Sequence, residues 1–182
     1  MSLTSTPDID ARRVRRATIT DVPSLGTIGP LAYTEAYGSW WTNADALAQH
    51  SQSFGAAAFV GLLVDPLVSV WIAELDGAPV GFLTMHRDQP NPATGRGNGV
   101  ELRRIYLLKD AMGAGIGRLL AEAAIELARE EGYDHAWLDV MAQADWAVSA
   151  YQRWGFAEIG RKQFENALRG DVREMIVMLR DL

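Results

Sequence analysis

Apolar and polar positions along the chain alternate with two different periods, and each period predicts a type of element. "VRRATI" (Val14–Ile19) predicts a short strand. "TITDVPSLGTIGPLAYTEAYG" predicts a helix capped by Thr20 or Asp21, with Pro23 in the first turn where its missing N–H does no harm. Gly26, Gly29 and Pro30 should make that helix irregular. "NADALAQHSQSF" predicts a second helix capped by Asn43. "SVWIAELDGAPVGFLTMHRD" reads as a hairpin, two apolar runs containing aromatics and joined through Asp76-Gly77. The proline- and glycine-punctuated "QPNPATGRGNG" (Gln89–Gly99) must be loop.

The second half is as regular. "VELRRIYLL" (Val100–Leu108) predicts a strand. Ile116, Leu119, Leu120, Ala123 and Leu127 then recur at helical spacing, and Gly132 is placed to end that helix. "HAWLDVM" (His135–Met141) predicts a strand, and "DWAVSAYQRW" (Asp145–Trp154) a helix ended by Gly155. "FAEIGRKQF" and "REMIVMLRDL" close the chain as two strands that should pair. The order is strand, two helices, three strands, helix, strand, helix, two strands. That is a mixed α/β sheet in one domain, here taken as residues 13–182 after a disordered tail over 1–12.

Composition narrows the classes. A chain of 182 residues, 48% apolar and 22% charged, suits one globular domain. It contains no cysteine, which excludes disulfides, thiolate metal sites and a cysteine nucleophile. A net charge of -6 takes weight from nucleic-acid binding. No apolar run reaches the ~18 residues of a membrane span. "MSLTSTPDID" has no secretory pattern, so the cytoplasm is the expected address. His50, His86 and His135 stand apart, without metal spacing or a partnered serine, and read as structural.

The candidate chemistry centres on "DAMGAGIGRLLAEAA", Asp110–Ala124. It lacks the Lys-Ser/Thr of a Walker loop. The dinucleotide fingerprint would need a third glycine or alanine where Arg118 stands, and such a turn follows a first strand, not a fourth. What remains is a strand, a glycine-rich turn with bare N–H groups, and a helix whose positive end favours an anion. Arg118 in the first turn adds charge.

The run "ELRRIYLLKDAMGAGIGRLLAEAAIELAREEG" followed by "WLDVMAQADWAVSAYQRWGF" resembles the GNAT acyltransferase superfamily. Met112-Gly113-Ala114-Gly115-Ile116-Gly117 matches its turn motif, with Met112 in the Gln/Arg place. Ala147, Tyr151, Gly155 and Phe156 match its second motif, with Ala144 in the place of an asparagine that often contacts the cofactor. "ELRRIY", "WLDV", "YQRWGF" and "MIVML" are most similar to bacterial polyamine acetyltransferases of the spermidine/spermine type. The resemblance implies an α/β (α+β) GNAT fold: a mixed, mostly antiparallel sheet of about six to seven strands with a splayed central pair, and about four helices.

It also implies a reaction. Acetyl-coenzyme A is the donor and a small-molecule primary amine, polyamine-like first, the acceptor, with direct attack. Pantetheine would lie along the backbone of Ile105, Tyr106 and Leu107, and the pyrophosphate on amides from Met112 through Gly113, Ala114, Gly115, Ile116 and Gly117 to Arg118, with Arg153 in reach of a phosphate. Tyr151 holds the general-acid place, and Glu101 is the candidate base. Tyr33, Glu35, Tyr37, Trp40 and Trp41 fall in the region that forms the acceptor wall. Arg103 and Arg104 should face opposite sides of the strand, and an arginine turned to the acceptor would disfavour a polycation there. A homodimer is a frequent state of this family. The alternatives are a cofactor-binding sensor without turnover, or an acetyltransferase for a protein N-terminus or an amino-sugar antibiotic.

Overall fold

Seven strands and five α-helices follow one another over the residues described by the computed structural model, 11–164 and 168–182. They are β1 (Arg12–Arg16), α1 (Val22–Tyr37), α2 (Ala44–Ser51), α3 (Ala56–Val64), β2 (Val68–Leu75), β3 (Ala78–His86), β4 (Gly99–Leu107), α4 (Ile116–Glu130), β5 (His135–Met141), α5 (Asp145–Arg153), β6 (Ala157–Gln163) and β7 (Glu174–Asp181). The sheet order is β1-β2-β3-β4-β5-β7-β6. Every pair is antiparallel except β4–β5, which α4 connects as a crossover. Of the expected tail, residues 1–10 lie outside the described residues, and its last residue, Arg12, already opens β1. Among the described residues no helix is long and apolar enough to cross a membrane.

Side-chain alternation builds a core on each face of the sheet. Val70, Ile72 and Phe82 pack with Leu25, Ile28 and Phe59 from α1 and α3. Trp71, Ala73, Leu83 and Met85 point the other way, onto Ile116, Leu120, Ala124 and Ala128 of α4. A register slip of one residue would exchange these sets, and burying each large side chain contributes roughly 1.5–3 kcal/mol, so the pattern fixes the register. Asp76 and Gly77 take φ of 51° and 78°, which closes the β2–β3 hairpin as expected.

Two expectations need correction. Residues 55–64 carried no predicted element, yet α3 forms there; "AAAFVGLLV" is apolar all round and offers no amphipathic period to detect. The first helix is also not irregular: α1 runs unbroken across Pro30. Its glycines serve packing instead. A Cβ on Gly29 would lie 2.4 Å from the Phe54 carbonyl oxygen, so only a bare backbone lets the segment before α3 lie this close.

Asp21 occupies the N-cap of α1, but its side chain turns back toward β1. It accepts from Arg15 Nη1 and Nη2 at 2.8 and 2.7 Å and from the Thr18 amide at 2.8 Å. Arg15 also donates to Glu74 on β2, so one guanidinium ties the helix start to two strands. The hydrogen-bonded guanidinium holds the Asp21 carboxyl down to about 2. Because the unfolded-state value is higher, near ~3.9, this stabilisation is complete above that value and lost as pH falls toward 2. Thermal melts should therefore find Asp21→Asn less stable by about 1–3 kcal/mol near neutrality, with the gap from wild type closing as pH drops from about 5 to 2. A gap that does not change with pH would contradict this assignment.

Candidate active site

The two central strands pair for three residues only: Gly99, Val100 and Glu101 opposite His135, Ala136 and Trp137. Beyond that point β5 stays with β7 as far as Met141, while β4 stays with β3 as far as Leu107. The β3–β4 register slips between Thr84 and Met85, which leaves Arg103 as the extra residue of a β-bulge. A bulge bends its strand and sharpens the local twist, and this one sits where β4 leaves β5. The flank of β4 past Glu101 is thus open toward β5.

Two cavities fill the parting, and Tyr37 lines both. The larger, about 470 Å³, runs past Ile105 and Leu107 to the glycine turn at Met112, Gly113, Gly115 and Gly117, and is closed by Ala147, Tyr151 and Trp154 of the α5 region. Arg118 and Arg153 line it too. Gly113 and Gly115 adopt φ of 82° and 79°, a left-handed conformation that side chains disfavour, and Gly115 caps α4. A Cβ on Gly113 would meet nothing within 4 Å, so its glycine answers to backbone conformation and leaves open space above the turn. The amides opening α4 have no carbonyl four residues back inside the helix, and Gly115, Gly117 and Arg118 at that end line the larger cavity, which suits an anion.

The smaller cavity, about 310 Å³, has aromatic walls. Tyr33 stacks on Phe54 at 4.6 Å between ring centroids, and Trp41 Nε1 donates to the Tyr33 hydroxyl at 3.1 Å. Tyr37 packs against Trp40 on one side and Tyr106 on another. Arg103, Arg104, Asp139 and His50 supply its charged and titratable groups. The bulge corrects the expectation that the two arginines face opposite ways: an extra residue breaks the alternation, and both line this cavity. Arg104 Nη1 donates to the Ser53 carbonyl at 2.8 Å, with its guanidinium 4.5 Å from the Phe54 ring centroid. Burial and the nearby Arg104 lower the His50 imidazole below its ordinary range, so it is neutral at pH 7.

Several expected site residues sit elsewhere. Glu101 lines neither cavity; it is 7% exposed, and its Oε2 accepts from Arg103 Nε and Nη2 at 2.8 and 2.6 Å. Burial raises its carboxyl while Arg103 pulls it back down. Glu35 is exposed and accepts from the Lys109 amide at 2.8 Å, bracing the turn after β4 and lining neither cavity. Trp41 supports Tyr33 from behind. Tyr106 lines the smaller cavity and not the larger. Ile116 and Ala144 are core residues, and the Ala144 amide is taken by the Met141 carbonyl. The Met112 amide is likewise spent on Lys109, so Met112 offers the larger cavity its side chain and not its N–H. The Ala114 carbonyl accepts from Arg12 Nη1 at 2.6 Å, which pins the turn to β1. Tyr151 does face the larger cavity, packed on Trp154 and Phe156, and burial together with the Asp139 carboxylate holds its proton well above the ordinary tyrosine range. Phe54, Asp139 and Trp146 are wall residues that sequence reasoning missed, whereas Arg104 was expected only as one of two arginines of which one could face the acceptor. Trp146 alone carried a signal, directly before Ala147 of the second motif.

Residues 33–156 match the model of the acetyltransferase (GNAT) family. An uncharacterized N-acetyltransferase of Lactobacillus delbrueckii subsp. lactis, from the pepI 3′ region, is 24% identical over 160 residues, covering 88% of this chain and 91% of that relative. The uncharacterized N-acetyltransferase YjgM of Escherichia coli is 31% identical over 113 residues, 62% of this chain and 63% of the relative. In fold, the chain is similar to PaiA N-acetyltransferase from Thermoplasma acidophilum, solved in complex with coenzyme A. That similarity has a TM-score of 0.75 at 16% identity, over 94% of this chain and 99% of the other.

The pair between buried Glu101 and the exposed Arg103 makes its own prediction. Burial already holds the Glu101 carboxyl above its ordinary value, and Arg103→Ala removes the cation that offsets this, so its folded-state proton affinity rises further and stability falls more steeply as pH increases. The variant should lose about 1–3 kcal/mol at pH ~8 and recover much of it at pH ~5 in denaturant titrations. An equal loss at both pH values would show that the pair is not what Arg103 maintains.

Proposed function

The chain belongs to the acetyltransferase (GNAT) family and is an acetyl-coenzyme A-dependent N-acetyltransferase of that type; from this premise we propose that it acetylates a single small primary amine seated in the smaller, aromatic cavity. The observation that carries the reading is the meeting of two cavities at Tyr37 inside the β4–β5 parting: an anion-suited cavity with a glycine turn, and an aromatic one beside it.

The residues fit the donor. Bare amides from Gly113 to Arg118 suit its diphosphate, Arg118 and Arg153 suit its phosphates, and the open flank of β4 at Ile105–Leu107 suits the amide-bearing pantetheine arm. Acetyl-coenzyme A supplies a thioester whose acyl carbon bonds to the acceptor nitrogen as the C–S bond breaks.

The other tasks fall to the chain. Tyr151 keeps its proton at all ordinary pH and lines the larger cavity, where it can give that proton to a departing thiolate. The acceptor nitrogen must arrive neutral, which the guanidiniums of Arg103 and Arg104 favour by disfavouring a second positive charge nearby, and the proton it sheds once bonded to the acyl carbon makes good the one that Tyr151 gives to sulfur. The same repulsion weighs against a polycation of the spermidine type. Glu101, held by Arg103, is assigned to positioning that arginine and not to taking the proton.

The test is release of free thiol from acetyl-coenzyme A across a panel of primary amines. Wild type should release thiol only when an amine is present. Tyr151→Phe should lower kcat by about 100-fold or more while coenzyme A affinity stays the same. Saturable coenzyme A binding with no thiol for any amine would overturn the enzymatic reading in favour of a sensor.

A further inference from the structure

The charged groups of the smaller cavity are not equally compensated. Arg103 is bound to Glu101, and Asp139 pairs with Lys162. Arg104 has no carboxylate partner among the described residues. Its contacts are a carbonyl oxygen and the face of a phenyl ring, both neutral. It is half-buried, and burial pulls its proton affinity below the ordinary arginine range. A cation withdrawn from water without a counter-ion is costly, and an arginine fork is suited to take a carboxylate in two hydrogen bonds. Asp139, on β5, is the carboxylate that lines this cavity among the described residues, and its charge is felt at Tyr151, next to the donor cavity.

We propose that the acceptor is an amine that also bears a carboxylate, an amino acid with an apolar side chain, held with its carboxylate on Arg104 and its nitrogen toward Asp139 and Tyr151. The proposal rests on the smaller cavity being the acceptor site. At about 310 Å³ that cavity is at the small end of ligand sites, which run about 300–1,000 Å³, and so suits a compact molecule. Its one uncompensated positive charge matches one anionic group. Tyr33, Phe54 and Trp40 offer apolar surface to a side chain. A diamine or polyamine would bring further positive charge to Arg104 and leave it without a partner.

Thiol release is measured with matched pairs: phenylalanine and phenethylamine, leucine and 3-methylbutylamine, and spermidine as the polycation. Wild type should prefer the acid of each pair in kcat/KM by about 10- to 100-fold, the worth of one charge-assisted contact. Arg104→Gln should cost the acids at least about tenfold more than the decarboxylated amines, chiefly in KM, and Arg104→Lys should restore part of the preference. Coenzyme A titration of each variant reports whether the neighbouring cavity is intact. If Arg104→Gln fails that control, the wild-type preference and Arg104→Lys decide. Turnover confined to carboxylate-free amines, or a preference that survives Arg104→Gln, overturns the proposal and leaves acetyl transfer standing. Coenzyme A binding without thiol from any compound overturns both.

Discussion

Everything in this fold that bears on chemistry follows from one backbone constraint: two parallel central strands pair for three residues and then part. Main-chain N–H and C=O groups that lose a ladder must find another partner or water. In the middle of a seven-stranded sheet that demand creates a polar slot walled by apolar side chains. The bulge at Arg103 bends β4 where pairing ends, and β5 is held to β7 along its whole length, so neither strand can close the gap. The end of β4 then leads through one short 3-10 turn, Lys109–Ala111, into the glycine turn and the start of α4, so the open backbone flank and the anion-suited helix terminus come from neighbouring stretches of chain.

The slot divides by electrostatics. On the side of the turn, main-chain amides with Arg118 and Arg153 suit a multiply charged anion. On the side of α1 and α2, aromatic rings dominate and most charges are already paired within the protein, which suits a smaller molecule of mixed character. Tyr37 is the wall between them, and its hydroxyl, like that of Tyr151, is kept protonated by burial. The same bulge that opens the strand also turns two adjacent arginines to one side. Opening the slot and charging its acceptor wall are therefore one structural event.

Much of this was legible in the sequence because periodicity and turn chemistry are local. The Asp76-Gly77 hairpin, the Asn43 cap, the α4 stripe and the turn after β4 follow from residues close together in the chain. What was not legible depends on partners far away. A bulge is set by the fit of two strands, so Arg103 and Arg104 read as alternating when they do not. Helix α3 lacks a polar face, and its glycine-lined partner α1 looked broken for the same reason that it packs closely. Glu101 and Glu35 had the right chemistry at suggestive positions, but each is taken up by a distant or neighbouring donor that sequence spacing does not reveal. Phe54 and His50 became wall residues only through the packing of α2 and the turn that follows it onto Tyr33 of α1.

The central claim is that the glycine turn and the start of α4 hold the donor by its diphosphate. Calorimetric titration of coenzyme A against pantetheine, which shares the thiol arm but lacks the diphosphate, tests it most directly. Two or more charge-assisted amide contacts predict that pantetheine binds at least about 100-fold more weakly than coenzyme A. Pantetheine binding within about threefold of coenzyme A, or no heat from coenzyme A on folded protein, would contradict it.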